Sequence, residues 1–255
     1  MALRVFREIS SAHLQPNLLS FSSAISACEK AGEWQKALYL LEATSRARIS
    51  PDVIIHSAAI SSCEKSGEWK RALQLLSTMP DVQIHPNKVS YSASISVCQK
   101  AWQWQWALHL LQLMPAAKVL PNEVSFTAAI SACEKAEQWH WALELLSSMS
   151  RHKLCLDVFS CSAAMSCCEK GSQWSKALYL LRSMPHRKVA PNLFSYTAAI
   201  SACAQVQHWK FAVQFFEEMV SRGICPDNVC RNLLLDSISN QKEAYALFKS
   251  LNVDG

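Results

Sequence analysis

The sequence predicts an all-α protein, an α-solenoid of stacked helix-turn-helix repeats. Three observations predict it. Tryptophan returns every 35 residues, at Trp34, Trp69, Trp104, Trp139, Trp174 and Trp209. Cysteine keeps the same period at Cys28, Cys63, Cys98, Cys133, Cys168 and Cys203. Between them lie apolar residues spaced three and four apart, twice per unit, which is helical spacing. A fixed period of this length marks a repeat array whose units bury their apolar faces by stacking.

The first helix of a unit is typified by "SFSSAISACEK". Phe21, Ala24, Ile25 and Cys28 fall on one face, and Ser20 is expected to cap the start. "AGE" and "SGE" then give a turn, with Gly32 and Gly67 where a helix would stop. The second helix is typified by "WQKALYLLEAT", in which Trp34, Ala37, Leu38 and Leu41 share a face. Met-Pro pairs are expected to end it at Pro80, Pro115 and Pro185. The prolines that close each unit, Pro16, Pro51, Pro86, Pro121, Pro191 and Pro226, hold the frame, and Leu156 breaks it once. Helices of about 12 residues are marginal alone, so stacking must hold them. The frame divides the chain into a partial repeat at 1–17, full repeats at 18–52, 53–87, 88–122, 123–157, 158–192 and 193–227, and a shortened unit at 228–255.

Composition narrows the function classes. The chain has 255 residues, half of them apolar, with a net charge of +5. That charge alone is too weak to imply a polyanionic partner. Five glycines and nine prolines exclude collagen-like and disordered classes. No apolar run reaches the roughly 18 residues that a bilayer requires. Eleven cysteines without a secretory signal suit a reducing compartment. The cysteine row is expected to be small core packing. Stacked equivalents lie roughly 10 Å apart, too far for zinc or a disulfide. The tryptophan row is likewise expected to be core. Cys155, Cys161, Cys167, Cys225 and Cys230 form no C-x-x-C pair. No metal or cofactor is implied.

Four other rows are candidates for function. Lys30, Lys65, Lys100, Lys135 and Lys170 follow the cysteines by two, which turns them about 200° round the helix and out of the core. Glu29, Glu64, Glu134 and Glu169 stand beside them, so a solvated face competes with a phosphate-tracking ladder. Leu19, Ile54, Val89, Val124, Phe159 and Phe194 form an apolar row at the opening of the first helices, where exposure is expected. Ser22, Ser57, Ser92, Thr127, Ser162 and Thr197 form a hydroxyl row. Asp52, Asn87, Asn122, Asp157, Asn192 and Asp227 close the units. Helix capping explains the closing row but not why the hydroxyl row is confined to Ser and Thr.

The unit of 35 residues, with an aromatic at its fourth place, "A-I-S-A-C-E-K" after it and "P-D/N" at its end, resembles a pentatricopeptide repeat (PPR). The resemblance covers essentially the whole chain as a P-type array, and it implies that the α-solenoid is a right-handed superhelix. It implies sequence-selective binding of single-stranded RNA, one base per repeat. The apolar row would sandwich bases, the hydroxyl and closing rows would read base edges, and the lysines would approach phosphates. By the family's pairing rule, Ser22/Asp52, Thr127/Asp157 and Thr197/Asp227 imply G. Ser57/Asn87, Ser92/Asn122 and Ser162/Asn192 imply A. The expected target is 5′-GAAGAG-3′. His56 and Cys161 depart from the aromatic, "CLD" lacks the proline before Asp157, and Gln205 lacks the lysine charge.

No catalytic constellation is present: no H-x-E with C-x-x-C, no acidic cluster for a nuclease metal, no phosphate loop and no nucleophile elbow. The expectation is a non-enzyme acting in organellar RNA processing, stability or translation, with RNA-processing proteins as further partners. The alternative is an α-solenoid scaffold for proteins, with Trp102, Trp106 and Trp141 as its surface. The family implies a mitochondrion or plastid. "MALRVFREISSAHLQ" is read as half a repeat because it aligns with 37–50, rather than as a transit peptide.

Overall fold

The computed structural model describes residues 16–238. Among these residues the regular structure is helical, with thirteen α-helices, one 3-10 turn and no strand. The chain divides into two compact units, Met1–Ala132 and Cys133–Gly255. In the first, α1 (Leu18–Ala31), α3 (Val53–Ser62) and α5 (Lys88–Lys100) are first helices of hairpins. Their second helices are α2 (Trp34–Arg46), α4 (Trp69–Thr78) and α6 (Trp104–Ala116), and α7 (Glu123–Lys135) follows. The second unit holds α8 (Trp139–Arg151), α9 (Val158–Lys170), α10 (Trp174–His186), α11 (Leu193–Gln205), α12 (Trp209–Ser221) and α13 (Asn228–Ile238). The sequence "MALRVFREISSAHLQ" and most of the shortened unit at 228–255 lie outside the described residues.

Stacking runs through the first helices. In the first unit α1 packs on α2 and α3, and α3 packs on α4 and α5. In the second, α9 packs on α8, α10 and α11, and α11 packs on α10, α12 and α13. The inward face of α1 is Phe21, Ala24, Ile25 and Cys28, all buried, as its spacing predicts. In α2 the buried face is Ala37, Leu40, Leu41 and Thr44. Leu38 and Trp34 are only half-buried.

The row cysteines are buried and none forms a disulfide. Their carbonyls have a second task. Cys28, Cys98, Cys133 and Cys203 each accept from the amide five residues on, at 2.9 Å. Cys63 and Cys168 do the same at 3.2 and 2.7 Å. This closure terminates the first helix. It requires a left-handed residue four on from the cysteine: Gly32, Gly67, Trp102, Glu137, Ser172 and Gln207, all with φ between 55° and 72°. Glycine fills only the first two of these slots. At Gly32 there is a further reason, because an added Cβ would lie 2.9 Å from Lys65 Cδ.

Three expectations need correction. The tryptophans at the start of the second helices are half-buried, not core. Each opens its helix, so its ring lies at the hairpin's edge, where stacking covers one side. Trp139 is covered by the next repeat, where a Cβ at Gly171 would lie 2.4 Å from its Cδ1. Ser20 is not the cap of α1. Asn17 is, its side chain accepting from the Ser20 amide at 2.9 Å. Pro115 and Pro185 do not end α6 and α10 but lie inside their last turns. The terminator is again a left-handed residue, Lys118 or Lys188, with Met114 and Met184 accepting from the amides of Val119 and Val189 at 2.9 Å. A proline in the last turn leaves that closure intact. At Pro80 alone the final turn tightens into a 3-10 turn, Pro80–Val82.

Candidate nucleic-acid interface

The closing Asp and Asn of each unit cap the next first helix. Asp52 Oδ1 accepts from the Ile55 amide at 2.9 Å. Asn87 Oδ1 accepts from Val89 and Ser90 at 2.9 and 3.0 Å. Asn122 accepts from Ser125, Asp157 from Ser160, Asn192 from Ser195 and Asp227 from Cys230, at 2.7 to 3.0 Å. In every case the atom used is Oδ1. What the cap does not use is Oδ2 in an aspartate, an acceptor, and Nδ2 in an asparagine, a donor. The cap therefore turns an Asp/Asn choice into an acceptor/donor choice at a fixed place. An asparagine held this way does not offer both functions, as a free side chain would.

A second hydroxyl row supports these caps, and the sequence reading missed it. Ser90, Ser125, Ser160 and Ser195 are buried, three residues after each cap. At Asn87, Asp157 and Asn192 they complete capping boxes. The signal was legible as a serine three places after four of the six closing residues, Asn87, Asn122, Asp157 and Asn192, with Ile55 and Cys230 in the other two places.

Two members of the hydroxyl row predicted to read bases, Ser57 and Ser162, meet this buried row. Ser57 Oγ lies 2.9 Å from Ser90 Oγ and donates to the Val53 carbonyl at 2.7 Å. Ser162 Oγ lies 3.1 Å from Ser195 Oγ. Ser92 Oγ donates to Asn122 Oδ1 at 3.3 Å, bringing the two ends of one repeat together. Thr197 donates to the Leu193 carbonyl at 2.9 Å. The Thr127 hydroxyl oxygen is buried and has no hydrogen-bond partner. Ser22 is half-buried on the opening turns of α1.

The apolar row lies at the surface. Leu19, Ile54, Val89, Val124, Phe159 and Phe194 are between 52% and 77% exposed. Each follows a cap residue by two, which puts its side chain beside the cap on the opening turn. Val229 continues the row at 58% exposed, a member the sequence reading left out. The 35-residue frame itself, counted on from Phe194, could have found it.

Lys30, Lys65, Lys100 and Lys170 are exposed and Lys135 is half-buried. Two reach back to the preceding repeat. Lys65 Nζ donates to the Lys30 carbonyl at the end of α1, and Lys170 Nζ lies 3.4 Å from Glu134 Oε1. In the first unit Lys30, Lys65 and Lys100 line an open groove of about 760 Å³ with Glu29 and Glu64. The glutamates are drawn inward. Burial pushes the Glu29 and Glu169 carboxyls above the ordinary carboxylate range, with Ser61 and Ser201 hydroxyls partly opposing it. Ser201 Oγ donates to Glu169 at 2.5 Å.

Burial raises the Cys98 and Cys133 thiols to about 12 and those of Cys63, Cys168 and Cys203 to about 11. These sulfurs stay protonated and are poor metal ligands and nucleophiles. Among the described residues no group of three His, Cys, Asp or Glu could hold a metal. No described helix is long and apolar enough to cross a membrane.

Two family profiles match the chain. "Pentatricopeptide repeat domain" matches residues 39–101, 144–205 and 179–241, and "PPR repeat" matches 19–45 and 124–154. Together they cover most of the sequence. Among solved structures, the pentatricopeptide repeat protein PPR10 from maize is similar at 20% identity and TM-score 0.63, over 99% of this chain and 42% of that one. PPR10 in complex with an 18-nt psaJ RNA element gives 19% identity and TM-score 0.56, over 97% and 42%. The PPR domain of Arabidopsis thaliana protein-only RNase P 1, in complex with tRNA, gives 15% and 0.63, over 71% of this chain and 95% of that domain. The chain thus spans about two fifths of PPR10, and at these identities the likeness is one of fold. Among curated proteins none matches.

Proposed function

The chain belongs to the pentatricopeptide repeat family, and from that premise we propose that it binds single-stranded RNA, one base per repeat, along the openings of its first helices. The observation that carries this reading is the pairing of an exposed apolar side chain with a cap whose outer atom is unspent. The apolar row gives bases a stacking surface worth about 1–3 kcal/mol each. Oδ2 of Asp52, Asp157 and Asp227 accepts from a ring N–H, as guanine and uracil present. Nδ2 of Asn87, Asn122 and Asn192 donates to a ring nitrogen, as adenine and cytosine present. Ser22, Ser57, Ser92, Thr127, Ser162 and Thr197 then sort purine from pyrimidine. Val229 completes the stacking surface beside Asp227. The order of pairs along the chain gives 5′-GAAGAG-3′. The lysine row meets phosphates.

The protein acts by occupancy rather than catalysis, in RNA processing, stability or translation in a mitochondrion or plastid, alongside RNA-processing proteins. The test is fluorescence anisotropy with an RNA of about 12 nucleotides carrying GAAGAG, against a C/U-rich RNA and the DNA version. Selective binding is expected, and equal affinity for the pyrimidine tract would sink the reading. A second reading, a protein scaffold, is favoured by the exposure of Trp102, Trp106 and Trp141. A folded protein without RNA binding would support it.

A further inference from the structure

In the first unit the first helices stack on one another, while among the described residues the second helices α2, α4 and α6 stay further apart backbone to backbone and meet through side chains such as Trp69 and Trp106. Gaps therefore open on the second-helix side, and they are not alike. The gap between α2 and α4 is about 180 Å³ and carries both Glu42 and Arg71. The gap between α4 and α6 is about 930 Å³. Its floor and walls include Leu73, Leu76, Tyr91, Trp106, Leu110 and Leu113. Leu76 and Leu110 are buried, but Trp106 and Leu113 remain 41% and 40% exposed. The charged groups on its lining are Lys70 and Lys118, with His85 and His109, and no carboxylate lines it. Trp106 is held by Trp69, at 6.2 Å between ring centroids, and by His109 at 5.8 Å.

We infer that the groove between α4 and α6 docks an acidic amphipathic helix of a partner protein. Large apolar side chains at a helix's i, i+3 or i+4 and i+7 places fit such a trough. The charge pattern selects acidic flanks, since a basic peptide would meet Lys70 and Lys118 with no carboxylate to relieve it. Four leucines, Leu73, Leu76, Leu110 and Leu113, line the groove beside the rings of Tyr91, Trp106, His85 and His109, and the leucine-lined part takes the apolar knobs of a helix where a nucleotide has nothing flat to stack on. This groove is separate from the apolar row and the caps, so the inference stands or falls apart from RNA binding.

The test uses the full chain and a labelled synthetic peptide of about 14 residues, four helical turns, with leucines on one face and glutamates flanking them. Two controls keep the composition class: the same leucines flanked by lysine, and the glutamate peptide with its leucines scattered. Anisotropy is expected to show binding of the first peptide only, weakened by salt. Leu113→Asp, at a half-exposed site that tolerates it, is expected to weaken binding about tenfold or more with an unchanged circular dichroism spectrum. Lys70→Glu with Lys118→Glu is expected to transfer preference to the lysine-flanked peptide. Indifference to peptide charge, or full binding by Leu113→Asp, would overturn the inference. Displacement of the peptide by a purine RNA would also overturn it and assign the groove to nucleic acid.

Discussion

Asn87 spends Oδ1 on two backbone amides, those of Val89 and Ser90, so a change at Nδ2 can be made without touching the cap. Asn87→Asp replaces a donor by an acceptor there. Asp and Asn cap about equally well, so stability should hold, whereas Asn87→Ala should lose about 0.5–2 kcal/mol. In anisotropy against RNAs varied at one position, Asn87→Asp should move preference from adenine to a base with a ring N–H donor. An unchanged base preference would leave Asn87 a cap and nothing more. Glu169 offers a second test. Its carboxyl is raised mainly by burial, with the Ser201 hydroxyl, Lys170 and Glu134 around it. A raised folded-state value means the native protein holds its proton longer than the unfolded chain. The contribution to stability is then full below the unfolded value and lost as pH rises through the folded one. Glu169→Gln keeps an acceptor for Ser201 and removes the charge. It should stabilise the protein near pH 7, with the advantage shrinking toward about pH 4 in urea titrations.

The helix is the scale at which Gly171 acts. Its φ is −80°, so no left-handed strain demands glycine, and alanine there would ordinarily gain about 0.4–1 kcal/mol by limiting the unfolded chain. Against that stands Trp139 Cδ1 at 2.4 Å from the added Cβ, and overpacking of that kind costs about 1–3 kcal/mol. The clash is the larger effect, so Gly171→Ala should destabilise. In a Trp139→Ala background the same substitution should become neutral or favourable. A thermal-denaturation double-mutant cycle reads the coupling, and additive effects would mean the ring simply swings away. Helix boundaries show where the sequence was legible and where it was not. The faces of α1 and the period were plain because apolar spacing encodes them directly. The turns were not, since the six left-handed positions hold Gly, Gly, Trp, Glu, Ser and Gln. There the closure onto the cysteine carbonyl overrides residue preference. Pro115 and Pro185 misled for the converse reason: a strong local signal costs only the one bond to the carbonyl four residues back, while the closure onto Met114 or Met184 that ends the helix is made by other amides.

For the molecule as a whole, the apolar row and the caps could be placed from a period of 35 residues because each depends only on residues a few places away along the chain. The reach of the lysines could not, because it depends on what the preceding repeat offers. The groove between α4 and α6 was hidden for the same reason, since it arises because first helices stack more closely than second helices do. The lysines carry the last prediction. If all five met phosphates, the logarithm of affinity would fall with the logarithm of salt at a slope near about −3.5, at about 0.7 per contact on a single strand. Lys65 is held by the carbonyl of Lys30 and Lys170 by Glu134, and leaving those partners offsets what a phosphate would give. The slope should therefore be shallower than about −3.5. Lys30→Met and Lys100→Met should each reduce it by about 0.7, and Lys65→Met and Lys170→Met by less than half of that. Methionine keeps the aliphatic stem, which at Lys65 packs over Gly32, so fold and charge are separated. Equal losses at all four positions would show that RNA pulls Lys65 and Lys170 off their neighbours, and the ladder would then work as one row with the pitch of the repeat.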